Sequence, residues 1–359
     1  MARTGSGKVI LINGNTLLRR QHKELIAELK SSEGFSVYTN GEVLVAATIP
    51  FGEFGGLIDV IAQLHISGES AKIIAAARRH QVVQVETITH IWDIVHKNPS
   101  LINSDFDEYY AEHSPPEMLG DAHIYGTVQM IAAGQISGQF ASVLDTRSGP
   151  IILGTGTEIK TFSCIEGPAF IGNGCRITGG NITGGCSFGD GCRIGGEVEN
   201  SIMVANSNKY HQGFLGHAYI GEWVNLGAMT TNSDLKNNYS EVSVKQDGAV
   251  SNTRQVKVGC FIGDHSKTGI GTMLNTGVTV GFSCNLFGGN LIVEKEIPSF
   301  AWGNDLLRHE YSLGKALETA RVVMHRRGQL SDDRQQRLFE YLFAATASLR
   351  KSWLSGTRH

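Results

Sequence analysis

The stretch LGTGTEIKTFSCIEGPAFIGNGCRI, residues 153–177, places an aliphatic residue at every sixth position: Leu153, Ile159, Ile165, Ile171 and Ile177. After a slip of one residue the beat continues through Ile182, Phe188 and Ile194, and then through Phe214, Ile220 and Leu226. It resumes at Ile262, Thr268, Leu274, Val280, Leu286 and Ile292. Neither a helix nor an isolated strand has this period. A hexapeptide repeat builds a parallel β-helix, in which each short strand sends one apolar residue inward before a corner. Three hexapeptides close one coil, and coils stack at about 4.8 Å. Glycines concentrate in the same region and often follow the inward residue, as in Ile171-Gly172 and Ile220-Gly221. A corner that turns tightly favours a residue without Cβ.

Outward from the repeat, the chain of 359 residues has room for two or three domains. Residues 1–100 read as a partial α/β domain. KVILIN is a strand, Thr16–Ser31 has helical spacing, and Asn40-Gly41 between two apolar runs signals a hairpin. Further helical patterns lie at Gly56–Leu64 and Ser70–Arg79, and a short helix at Ile91–Val95. Residues 101–121, with Pro115-Pro116, read as a linker, and 122–303 as the β-helix. Within it, Asn200–Gln212 and Asn232–Asn252 break the beat and read as loops. Residues 304–359 read as a C-terminal helical hairpin with an N-cap at Ser331.

The net charge of −3 gives no reason to expect nucleic acid as a partner. No 18-residue apolar run or signal-peptide pattern points to a membrane. Six cysteines lack a CxxC pair, so a cysteine metal site is not expected, and reduced cytoplasmic thiols are. Cys175 and Cys192, in the similar stretches GNGCRITGG and GDGCRIGGE, are expected at equivalent places on neighbouring coils.

The densest chemistry lies in SNKYHQGFLG (207–216), IGEWVNLGAMTTNSDLKNNY (220–239), GDHSKTGIGTMLNTG (263–277) and IPSFAWG (297–303). Over residues 90–330 these stretches resemble the acyltransferase half of the bifunctional N-acetylglucosamine-1-phosphate uridylyltransferase/glucosamine-1-phosphate acetyltransferases, and a branch described as sugar nucleotidyltransferases of that type. The resemblance implies a left-handed β-helix, a homotrimer, acetyl-CoA bound between subunits, and a general-base histidine at His211. An imidazole with a pKa near 6.5 suits removal of a proton from an amine before it attacks a thioester. On this reading Lys209 holds a sugar phosphate. Asn206, Asn208, Asn225 and Asn232 bind hydroxyls or orient the histidine, with Phe214 beside them. The backbone at Gly227 and Ala228 meets the oxyanion, and His265 either caps a turn or lines the cofactor cleft with Lys267. His217 is expected on the surface, and Trp223 and Trp302 in packing. The chain departs from the family where Phe214 replaces a tyrosine and where Asn232-Ser233-Asp234 replaces Asn-Tyr-Asp. The acceptor, a sugar phosphate or a nucleotide sugar, is therefore left open.

Nucleotidyl transfer needs a glycine-rich loop with an arginine, and carboxylates for Mg²⁺. Neither opens this chain: Gly5-Ser6-Gly7-Lys8 precedes the first strand, and Asn15 in LINGN is neutral. The first expectation is a CoA-dependent acyltransferase. The alternatives are a sugar-1-phosphate nucleotidyltransferase, which would need Mg²⁺, and a non-catalytic sugar-nucleotide-binding or assembly module.

Overall fold

The structure, a computed structural model, describes residues 7–57, 69–110, 116 and 119–356. Most of Met1–Lys8, most of the helical pattern expected at Gly56–Leu64, and part of the expected linker with Pro115 lie outside the described residues. The chain divides into two compact units, Met1–His90 and Ile91–His359.

The first unit is a four-stranded sheet of β1 (Lys8–Ile12), β2 (Ser36–Asn40), β3 (Val43–Pro50) and β4 (Arg79–Val82), in the order β1-β3-β2-β4. β2 and β3 form the expected hairpin. Both sheet faces are covered, which is why β2 and β3 are buried in runs rather than in alternation. Leu25 and Leu29 of α1 (Lys23–Ser31) pack with Tyr38 and Val45 on one side. Ile73 of α2 (Glu69–Ala76) packs with Val37 and Ile49 on the other. The helix expected from Thr16 starts at Lys23, after a short 3₁₀ turn at Arg20–His22.

The second unit opens with one long helix, α3 (Ile91–Tyr109), where a short helix and a linker from residue 101 were expected. This moves the boundary from residue 100 to residue 90. The physical reason is packing against the coils. Trp92 and Val95 pack on Val242, Val258 and Phe261. The Asn98 amide donates to the Gly185 carbonyl at 2.7 Å and accepts from Ser187 at 2.9 Å.

The rest is a parallel β-helix with three faces. On one face nine strands stack in parallel, from Ile131–Ala133 to Glu296–Ile297. Leu153, Ile171, Phe188, Met203, Ile220, Ile262, Val280 and Ile297 lie above one another as its inward column. Each is nearly or fully buried, and burying such a side chain contributes about 1.5–3 kcal/mol. Cys175 and Cys192 precede the paired Arg176 and Arg193, so they do occupy equivalent places. Burial pushes the Cys175 thiol up to about 11 and those of Cys186, Cys192, Cys260 and Cys284 to about 12.

The loop expected over Asn200–Gln212 is instead regular coil, with strands at Ile202–Met203 and Asn208–Lys209. The beat only looked broken because polar residues take inward places. Lys209 pairs with Ile194 and sits in the column of Ile159 and Ile177. Ser207 is also enclosed: its hydroxyl donates to the Gly221 carbonyl at 2.7 Å and accepts from the Val224 N–H at 2.9 Å. Ser207→Ala should therefore cost about 1 kcal/mol, read as a lower urea midpoint; an unchanged midpoint would show that the two backbone groups find other partners. The second break is a real excursion. It carries an antiparallel hairpin, Ser243–Gln246 with Ala249–Asn252.

Among the described residues the C-terminal region holds three helices rather than a hairpin of two: α4 (Leu313–His325), α5 (Asp333–Ala345) and α6 (Ala347–Leu354). Asp332, not Ser331, caps α5, accepting from the Gln335 N–H. Phe339 of α5 packs on Phe300 and Tyr311, and Trp353 of α6 joins the coil core. Among the described residues no helix is long and apolar enough to cross a membrane.

Candidate active site

The segment carrying His211 follows the strand Asn208–Lys209 and precedes the strand Phe214–Gly216. It is pressed onto the coil below. A Cβ on Gly195 would lie 2.2 Å from the Tyr210 carbonyl oxygen, so only glycine lets the two coils approach. At the far end Gly213, with φ 131°, makes the turn that L side chains resist. Buried Lys209 fastens the segment from inside: its ammonium donates to the carbonyls of His211 at 2.6 Å and Gly195 at 3.3 Å. Burial lowers the Lys209 pKa to about 8. The His211 side chain stands exposed, edge-on to Tyr210 at 5.5 Å.

One coil face supplies a ladder of outward residues beneath it: Glu158, Arg176, Arg193, Asn208, Asn225 and Lys267 occupy successive rungs. This ladder, from Arg176 to Lys267, is the floor of a groove of about 820 Å³. His211, Asn206, Gly227 and Ala228 line it, and Val323, Arg326 and Arg327 close one side from the end of α4 and just beyond it. Among the described residues five cationic side chains line the groove, Arg176, Arg193, Lys267, Arg326 and Arg327, and no carboxylate does. Arg176 is neutralised from below by Glu158 through two hydrogen bonds of 3.0 and 3.1 Å. Burial lowers the Lys267 pKa to about 8.

Seven of the expected site residues therefore share one groove: His211, Asn206, Asn208, Asn225, Gly227, Ala228 and Lys267. Four do not line it. Lys209 is 1% exposed and both its bonds are to backbone, so the expectation that it grips a sugar phosphate is corrected: it faces the coil interior. Asn232 is buried and its amide closes on Gly216, accepting from the N–H and donating to the carbonyl at 2.9 Å each. It holds adjacent coils together instead of meeting a ligand. Phe214 lies against Gly216, where a Cβ would meet its ring at 2.4 Å. His265, expected in the cleft, is 6% exposed and packed among Trp223, Phe282 and Phe339. Burial and then the Lys267 charge push its pKa down to about 3. Two further corrections concern backbone and amide groups. The Gly227 N–H is occupied by the Thr268 carbonyl and hydroxyl at 3.1 and 3.0 Å, which removes it as an oxyanion donor. Asn208 is bonded to Asn225 at 3.0 Å and to Arg327 at 2.7 Å.

His217, expected on the surface, is buried and pairs with Asp234 at 2.8 Å. Glu199 completes a cluster in which one ligand atom of each residue lies within 4.8 Å of the others. Lys257, 2.7 Å from Glu199, already supplies a cation there. The corner φ of 47° at His217 has no local sequence signal. The arginines near α4 were also missed, since Arg327 lies 119 residues from Asn208.

No protein-family model matches the chain. A bifunctional sugar-1-phosphate nucleotidylyltransferase/acetyltransferase of Sulfurisphaera tokodaii is 32% identical over 96 residues, 27% of this chain and 24% of that protein. A bifunctional protein GlmU of Methanococcus vannielii is 35% identical over 114 residues, 31% of this chain and 27% of that protein. The chain thus spans about a quarter of the length of these two relatives. An N-acyltransferase of Bacillus cereus, AntD, solved with dTDP-4-amino-4,6-dideoxyglucose and coenzyme A, covers 53% of this chain and 88% of its own at 10% identity, with a TM-score of 0.27. The uncharacterized acetyltransferase YaiX of Escherichia coli O6:K15:H31 is 30% identical over 171 residues, 47% of this chain and 73% of that protein. With almost three quarters of an acetyltransferase matched at that identity, this chain belongs to the acetyltransferase family of YaiX.

Proposed function

We propose that the second unit is a CoA-dependent acyltransferase whose acceptor is an amine on a sugar that also carries phosphate, either a sugar phosphate or a nucleotide sugar. The observation that carries this reading is the exposed His211 imidazole at a groove lined, among the described residues, by five cations and no carboxylate. Acetyl-CoA and a phosphorylated sugar are both polyanions, and a groove of one sign attracts them. The relatives' names supply the acyl chemistry.

In the proposed reaction neutral His211 takes a proton from the acceptor amine as its nitrogen attacks the thioester carbonyl. The carbon–sulfur bond then breaks, the amide forms, and the imidazolium returns its proton to the leaving thiolate. Lys209 fixes the height of the His211 backbone. No partner of the Ala228 N–H is found among the described residues, so this group is the candidate oxyanion donor. The seam of a homotrimer would close the groove.

The test is thiol release from acetyl-CoA with a panel of amino-sugar phosphates and nucleotide-linked amino sugars. Acceptor-dependent release supports the reading. Its absence across the panel, with pyrophosphate release from a nucleoside triphosphate and a sugar phosphate, would replace it with nucleotidyl transfer. Absence of both would leave a binding module.

A further inference from the structure

Three arginines come together where α4 ends against the coil. Arg193 rises from the outward ladder, and Arg326 and Arg327 follow the last turn of α4. Arg327 is held in place: one guanidinium nitrogen donates to the Gly191 carbonyl at 3.0 Å and another to the Asn208 side-chain oxygen at 2.7 Å. A guanidinium has five N–H donors, so the remainder stay available. Among the described residues Arg193 makes only a long contact, 3.4 Å, to the Gly174 carbonyl. Among the described residues none of the three has a carboxylate partner within ion-pair distance. Like charges at close range destabilise one another. Burial and the neighbouring Arg193 and Arg326 charges both disfavour the charged form of Arg327. A fold that keeps such a cluster without a carboxylate has made room for an anion, and planar guanidinium donors match phosphate oxygens two at a time.

We propose that Arg193, Arg326 and Arg327 form a phosphate subsite, built jointly by the coil face and the C-terminal helices, that selects ligands carrying a phosphomonoester or diphosphate. The inference deepens the acyltransferase reading and rests on it for its role in turnover, but not for binding itself. Two sources share this chemistry: the diphosphate of a nucleotide sugar and the 3′-phosphoadenosine end of CoA. The subsite also gives the C-terminal helices a ligand-binding part beyond packing on the coil end.

Direct titration of the full chain tests it, by calorimetry, with inorganic pyrophosphate, UDP, 3′-phosphoadenosine 5′-phosphate and ADP. Pyrophosphate should bind, and binding should weaken as salt is raised. Arg193→Met and Arg327→Met should each weaken it about 10-fold, roughly the worth of one charge-assisted hydrogen bond. Arg327→Lys, which keeps the charge, should recover part of the loss. Preference for 3′-phosphoadenosine 5′-phosphate over ADP assigns the subsite to CoA, and preference for UDP assigns it to the acceptor. In turnover Arg193→Met should raise the KM of that substrate with kcat unchanged. Because Arg327 also braces Asn208, Arg193→Met is the cleaner variant, and an unaltered thermal midpoint confirms its fold. Failure of pyrophosphate to bind, or equal binding by wild type and Arg193→Met, overturns the subsite. Arginine-dependent binding without any thiol release keeps the subsite and overturns the acyltransferase reading.

Discussion

His211→Ala should lower kcat by at least ~100-fold, the usual contribution of a positioned general base. That corresponds to about 2.7 kcal/mol of transition-state stabilisation. The affinity for acetyl-CoA should stay within about twofold, because the imidazole reaches the donor's sulfur only as the carbon–sulfur bond breaks and adds nothing to ground-state binding. The geometry makes this a clean substitution. The His211 side chain is exposed, and its hydrogen bond to the fold runs through its backbone carbonyl, which alanine keeps. Lys209 and Gly195 hold that backbone regardless of the side chain. Thermal stability should therefore be unchanged, and a fall in rate reports chemistry rather than unfolding. A variant with the wild-type rate would remove His211 from the mechanism and leave the groove as a binding surface.

Much of the β-helix was legible because its inward column is nearly pure hydrocarbon from Leu153 to Ile194. An apolar column on a fixed period has few alternative folds. Legibility failed where the coil admits polar groups. Lys209 and Ser207 take inward places, because a narrow coil can satisfy an ammonium or hydroxyl with carbonyls of neighbouring rungs. From sequence such residues look like a loop, and that reading made Lys209 a ligand-binding candidate. The site shows the same limit. Asn208, Asn225 and Lys267 were expected at the site from the family resemblance, and the structure stacks them on one coil face. Arg326 and Arg327 were not expected there, since helices after the repeat reach the groove by tertiary packing. His265 failed for a third reason. Its neighbours Phe282 and Phe339 come from a later coil and from α5, so its burial was invisible in Gly263-Asp264-His265.

Burial of that histidine makes the second unit acid-sensitive, and the sign follows from its folded pKa of about 3 against an ordinary 6.5. Between these values the unfolded chain binds a proton that the folded chain rejects. Stability is therefore lost as pH falls below 6.5, not as it rises. From pH 7 to pH 5 the expected loss from this group is about 2 kcal/mol. His96, also pushed down by burial and by His217, adds in the same direction, so the wild-type slope alone does not isolate His265. The comparison with His265→Asn does. Asparagine tolerates the φ of 60° at this corner, which most residues resist. It is smaller than histidine, so the variant should be less stable at pH 7 through the space left among Trp223, Phe282 and Phe339. Its dependence on pH between 7 and 5 should nevertheless be flatter by about 2 kcal/mol, because no imidazole remains to be protonated. Urea unfolding of both proteins at the two pH values measures this difference directly. Parallel slopes would mean that His265 takes up its proton in the folded state, with the Gln335 amide beside its ring turned so that its oxygen accepts, or with α5 opened from the coil.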